Sequence, residues 1–186
     1  GTLYDINRAL SELYYTGNKN FNGKDLLRVQ INDLGNTGNG TYLHDLREIP
    51  LMLHPVNDYP IWHTPSGTIG VSEDSSVVIP DVKIVDVDDN DMNLAIFNTP
   101  VVMLKTVVLK AQHGVISLTR IVDITFEIGD GVQDKHIRFT GTTVDVNRAL
   151  EELVYYPDPD FTTGALRQKY DAIKIYVDDN GLIPQG

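Results

Sequence analysis

The chain says the same thing twice. Residues 1–15, GTLYDINRALSELYY, return as residues 141–155, GTTVDVNRALEELVY. Ten positions are identical: Gly1, Thr2, Asp5, Asn7, Arg8, Ala9, Leu10, Glu12, Leu13 and Tyr15 recur as Gly141, Thr142, Asp145, Asn147, Arg148, Ala149, Leu150, Glu152, Leu153 and Tyr155. The offset is 141 − 1 = 140, and it holds through Phe21 and Phe161. A second match follows at 171 − 25 = 146, where Asp25–Asp33 (DLLRVQIND) lines up with Asp171–Asp179 (DAIKIYVDD), and Gly35 with Gly181. The second copy therefore carries 146 − 140 = 6 extra residues, near 163–169. A repeat of this spacing restricts the fold to successive units of one design.

The two copies are cut at different points. The first begins at its Gly-Thr motif. The second has a long leader, residues 61–140, and stops soon after Gly181. The expected organisation is residues 1–60 as the C-terminal half of one repeat and residues 61–186 as most of the next, with its final strand missing. The chain then reads as an excerpt of a longer tandem array, each end needing a neighbouring segment to complete its sheet. Pro55, Pro60 and Pro65 stiffen the boundary region, which should be short and extended.

Hydropathy patterning predicts one short helix per copy, within 2–13 and 142–153, with Asp5 and Asp145 as N-caps. Ile6, Ala9, Leu10 and Leu13 fall on one face, as do Val146, Ala149, Leu150 and Leu153. The rest reads as strands. Leu27, Val29 and Ile31 alternate with Arg28, Gln30 and Asn32; Ile173, Ile175 and Val177 alternate with Lys174, Tyr176 and Asp178. Further strand candidates are 46–53, 67–72, 76–85, 94–98, 101–110, 114–118, 121–127 and 135–140. Strands at this spacing, parted by Gly, Asp and Asn, point to an all-β sandwich with Greek-key links.

Composition removes several functions. Asp+Glu total 26 against 15 Lys+Arg, a formal charge of −11. Such a chain repels phosphate, which argues against nucleic-acid binding through a basic face. With no Cys there is no disulfide, thiolate metal site or Cys nucleophile. No apolar run reaches the ~18 residues of a membrane span. The acids comprise 20 Asp and 6 Glu, a bias that suits turns and oxygen cages.

The motif Gly141-Thr-x-x-x-Val146-Asn147-x-Ala149-Leu150-x-x-Leu153-x-Tyr155, followed by Asp160-Phe161, carries a resemblance. So does Phe21-Asn22-Gly23-x-Asp25-x-Leu27-x-Val29-x-Ile31-Asn32-Asp33-x-Gly35 ahead of Val56-Asn57-Asp58-x-Pro60. Together they resemble the cadherin-like, immunoglobulin-fold tandem repeats of very large surface proteins and adhesins, over nearly the whole chain. The resemblance implies an extracellular, non-enzymatic protein, often stiffened by calcium. Its partners would be neighbouring repeats, other copies in a filament, or a cell-surface protein or glycan. It departs from true cadherins in a linker one acid short and in lacking their mid-domain acidic motif.

Asp81, Asp86, Asp88, Asp89 and Asp91 place five Asp in eleven residues. Calcium takes six to eight hard oxygens. Asn57 and Asp58 from the linker, Glu73, Asp86, Asp88 and Asp91 form the expected calcium set; a solvated acidic turn is the alternative. An EF-hand fits much less well, because the sixth position from Asp86 is Asp91 rather than Gly and the twelfth is Phe97 rather than Glu.

Other signals are thin. The stretch from Gly17 to Asp25 has one residue too many for a phosphate loop and places Asp25 where Ser or Thr is needed. His44, His54, His63, His113 and His136 have no metal-ligand spacing, and no catalytic elbow is present. Asn39-Gly40-Thr41 is the single glycosylation sequon, in a Gly/Asn-rich turn. Tyr59 and Trp62 are expected to pack at the repeat junction, and Tyr15, Tyr155 and Tyr156 to be core residues or corner anchors. The apolar stretch 98–105 is a buried strand or a pairing surface. The function expected is a structural or adhesive segment of a long extracellular repeat protein, a surface filament, fibre or adhesin stalk. The alternative is a carbohydrate- or protein-binding module on the same fold.

Overall fold

Helix α1 (Leu3–Leu10) opens the chain because Thr2, in extended backbone, turns its hydroxyl back onto the Asp5 amide at 3.3 Å, while the Asp5 carboxylate accepts from the Thr2 hydroxyl and amide. The computed structural model describes residues 1–36, 40–90, 102–163 and 170–181. Asn39, Asp91, the candidate strand 94–98 and residues 98–101 of the apolar stretch lie outside them. The chain divides into two compact units, Gly1–Val56 and one beginning at Asn57, inside the Pro-rich stretch.

The first unit holds α1 and an antiparallel hairpin, β1 (Gly23–Asn32) with β2 (His44–Leu53), in register Gly23↔Leu53 to Asn32↔His44. Asp33 donates its amide to the Leu43 carbonyl at 3.0 Å. In an antiparallel ladder alternate residues point to one neighbour, so the odd-numbered backbone groups of β1 and β2 face each other. Pro50, an even residue, has no N–H to offer, and its position faces away from β1, where the loss costs no ladder bond. α1 buries none of its residues. A groove of about 580 Å³ runs past Leu3, Ile6, Ile31, Leu34 and Leu43.

Among its described residues the second unit is antiparallel β with one α-helix and a short 3-10 turn at Asp88–Asn90. Its strands are β3 (Ile61–His63), β4 (Val77–Ile79), β5 (Lys83–Val85), β6 (Leu104–Ala111), β7 (Gly114–Ser117), β8 (Thr125–Ile128), β9 (His136–Thr142), β10 (Leu153–Pro157) and β11 (Ile173–Asp178), with α2 (Thr143–Leu150) between β9 and β10. They form a sheet β4-β10-β7, a sheet β11-β6-β9-β8 and a ribbon β3-β5. Both helices are capped by Thr, with Asp at the third helical position. That corrects the expectation that Asp5 and Asp145 are the caps.

Inward positions alternate as the strands require. Val107, Leu109, Ile116, Ile137 and Phe139 make a dry centre, on which α2 sets Val146, Ala149 and Leu150. The helix lies against β5, β6 and β9. Asn147 clamps β5 like an extra strand: its side chain accepts from the Ile84 amide at 2.7 Å and donates to the Ile84 carbonyl at 2.9 Å.

Several strand expectations shift. Residues 67–72 form no strand. The run 76–85 is two strands, broken at Pro80 and at Asp81, whose φ of +56° takes it out of extended backbone. β3 and β10 went unpredicted. β10 follows α2 so closely that Leu153 reads as the helix end.

Candidate functional site

β6 brings a lysine to an inward position. Lys105 shares parity with Val107, Leu109 and Ala111, and it is 1% exposed. A buried ammonium needs carboxylates. Lys105 finds two, bonding Asp86 and, at 3.2 Å, the Oδ1 of Asp89. Burial alone would lower its pKa, but the bonds to Asp86 and Asp89 outweigh that and hold it above the ordinary lysine value.

The neighbouring acids are built into the backbone. Asp86 accepts from the Asp88 amide at 2.9 Å, and Asp88 from the Asp58 amide at 2.8 Å. Asn57 donates to Asp179 at 2.6 Å, beyond the end of β11. Burial, against the opposing pull of the Asp58 amide, raises the pKa of Asp88. Asn180 accepts from the Thr106 hydroxyl at 3.2 Å and donates to the Leu104 carbonyl at 2.9 Å, which pins the turn after β11 to the start of β6.

Of the expected calcium set, the structure gathers Asp86, Asp88, Asp58 and, beside them, Asn57. Glu73 is a correction. It lines a hollow with Tyr155 and Asp171, ahead of β11, whereas Asn57 meets Asp179 just past that strand's end. Six strand residues separate the two places, about 20 Å. Asp81 is exposed. One oxygen of Asp86 accepts from an amide and the other from Lys105, so both are already engaged. Asp89 Oδ2 is buried with no hydrogen-bond partner. Among the described residues no group of three or more His, Asp or Glu is arranged to hold a metal. The cation that the described residues place at this cluster is Lys105.

The far end of the unit is fastened by Tyr155. Its hydroxyl donates to Asp171 and lies 2.8 Å from the His113 carbonyl. Burial first, then the bond to Asp171, push its pKa up, so at neutral pH it is a donor rather than a nucleophile. His113 meets Asp171 at 3.0 Å and stacks on Phe161 with ring centres 4.5 Å apart. Burial would raise the Asp171 pKa, but the bonds from Tyr155, His113 and the Ala172 amide carry it below the usual carboxylate range. Tyr15 repeats the first of these contacts by bonding Asp25. Trp62 packs against the core of its own unit, and Tyr59 is 89% exposed.

Lys105, Asn147 and Asp171 were not singled out from the sequence. For Lys105 the signal was present: it occupies an inward position of a period-2 strand. Asn147 and Asp171 recur as Asn7 and Asp25, a sign of structural work by a polar residue.

Comparisons with family models, with curated proteins and with solved structures found no match for this chain.

Proposed function

We propose that this chain is a structural or adhesive segment of a long extracellular tandem-repeat protein, such as a surface filament, a fibre or an adhesin stalk. Its repeats are read as immunoglobulin-like sandwiches similar to those of cadherins, and as non-enzymatic. One observation carries the reading. The duplicated sequence builds the same local device twice: a Thr-capped helix, a Tyr–Asp tie, a strand and a tight left-handed turn. Leu34 and Gly35 have φ of +58° and +67°; Asn180 and Gly181 have +62° and +61°. A device built twice in one chain is how tandem arrays are made.

In this reading Lys105 does the work for which calcium was expected, neutralising the buried acids where the chain enters the unit. Melting in millimolar calcium and in chelator should then coincide. A rise of several degrees with calcium would return the ion to the account. End-to-end association in electron micrographs, beside a glycan array without hits, is the result expected for the function itself. Saturable binding of a defined glycan by a protein that does not associate would overturn it in favour of a binding module.

A further inference from the structure

The side chains of Lys105 and Asp86 are each 1% exposed and bonded to one another. A site this dry is a costly place for two full charges. Condensation of the pair to an amide would remove both charges at once.

The surroundings suit that reaction. Lys105 Nζ is held against Oδ2 of the Asp86 carboxylate. The other oxygen, Oδ1, accepts from the Asp88 amide at 2.9 Å. A fixed N–H there stabilises the negative charge that gathers on oxygen when an amine adds to the carboxyl carbon. Asp89 meets the same Nζ through its Oδ1 at 3.2 Å, and its Oδ2 is buried with no hydrogen-bond partner among the described residues. One oxygen can thus take a proton from the nitrogen while the carboxyl group keeps a bare oxygen to return it, as a general acid–base must. Asp86 is the electrophile of the two because it is the drier, and because an amide donor polarises it.

We propose that Lys105 and Asp86 condense in the folded chain to an intramolecular amide cross-link, with Asp89 as the acid–base. The ammonium passes one proton to Asp86 Oδ2, and the neutral amine adds its lone pair to Cγ. Asp89 removes a second proton from the nitrogen and delivers it to Oδ2. The Cγ–Oδ2 bond breaks and that oxygen departs as water. One ammonium and one carboxylate become one neutral amide and one water. Asp89 ends as it began, and no oxidant or other reactant is needed. Groups held in contact react as if at an effective concentration of up to about 10⁵–10⁸ M, which drives a condensation that free molecules in water do not complete. The bond joins the start of β6 to the segment after β5, across 19 residues, in a chain that has no Cys for a disulfide. The ion pair is the reactant: a chain that has not condensed keeps its charges and its response to alkali, and one that has condensed loses both. The inference rests on this geometry, independently of the adhesive reading.

The test is mass spectrometry of the full 186-residue chain, folded at neutral pH. The intact mass should lie about 18 Da, one water, below that of the sequence. Trypsin should fail to cut after Lys105 and should release residues 84–110 as one peptide carrying the deficit. Cyanogen bromide cuts that peptide after Met92 and Met103, and should leave residues 84–92 joined to 104–110. Lys105→Arg, which keeps the positive charge, and Asp86→Ala should have the full sequence mass. Asp89→Asn should condense at least about a hundredfold more slowly, followed in freshly synthesised chain. The Trp62 unfolding transition shows which variants are folded, and the mass of the natural chain decides the matter without them. A folded natural chain that stays at full sequence mass on long incubation would mean an ion pair only and would overturn the inference. So would a lost water mapped to a cyclic imide at Asp130-Gly131, a branch on Asp89 instead of Asp86, the same deficit in the Lys105→Arg chain, or condensation at an unchanged rate in Asp89→Asn.

Discussion

The two copies share their local geometry and differ in what lies against it. In both, Thr caps the helix onto Asp three residues on, a tyrosine hydroxyl ties to the aspartate that precedes a strand, and that strand ends in a left-handed turn. Leu150 is fully buried, whereas its counterpart Leu10 is 45% exposed. Asn147 clamps the backbone of β5, an element for which the first unit has no counterpart. Caps, turns and short ties therefore form from nearby residues alone. Burial of the helix face needs β5, β6 and β9 beneath it, and those strands lie in the stretch that precedes α2.

Trp62, the one tryptophan, belongs to the second unit, so its fluorescence isolates that unit's unfolding from the other. The largest effect should come from removing the floor under α2. Lys105→Met leaves the buried Asp86 and the partly buried Asp89 without their cation, and urea denaturation should show a loss of about 3–5 kcal/mol. Alkali should act in the same direction. The pKa of Lys105 is raised in the folded state, so its contribution is complete below the unfolded value near 10.4 and is lost as pH climbs through the folded value. An unchanged midpoint in the Met variant would show that the pair does not hold β6 in place.

Next in size is the contrast between the helices. Leu150→Ala should cost about 2–5 kcal/mol, and Leu10→Ala less than about 0.5 kcal/mol. Equal costs in calorimetry would show that the face of α1 is covered in solution. A smaller contrast is expected at the asparagines. Asn147→Ala strands the Ile84 amide and carbonyl and should cost about 1–3 kcal/mol, while Asn7→Ala should leave the melting profile unmoved.

The smallest effect is a pH dependence. Asp171 and Asp25 both have lowered pKa values in the fold. A lowered carboxyl contributes stability above its unfolded value near 3.9, and that contribution disappears as pH falls through the folded value. The Trp62 transition should therefore weaken below about pH 4, and Asp171→Asn should flatten that slope. Asp25→Asn, in the exposed copy, should leave the Trp62 signal unchanged.

What could be read in advance follows the same division. The repeat, the helix faces, the alternation of β1 and β11, and the importance of Tyr155 were visible because they depend on residues close in sequence or on a repeated pattern. The partners were hidden. Nothing near Lys105 indicates that Asp86 and Asp89 will close on it, because the three come together only when β6 is laid into its sheet. Glu73 stands close in sequence to Asp86 and was grouped with it, yet the fold carries the two to opposite ends of β11. The capping aspartates were placed one role too late, since Thr and Asp serve a helix start almost equally well and only the backbone at Thr2 and Thr142 decides which sits outside it.

Pro50 gives β2 two unlike sides. Toward β1 the strand offers a full set of donors and acceptors; on its other side a donor is missing. The β1–β2 hairpin is therefore closed at Pro50, and a further strand cannot easily be laid against that side. The hairpin is thus protected on that side against sideways pairing into an aggregate.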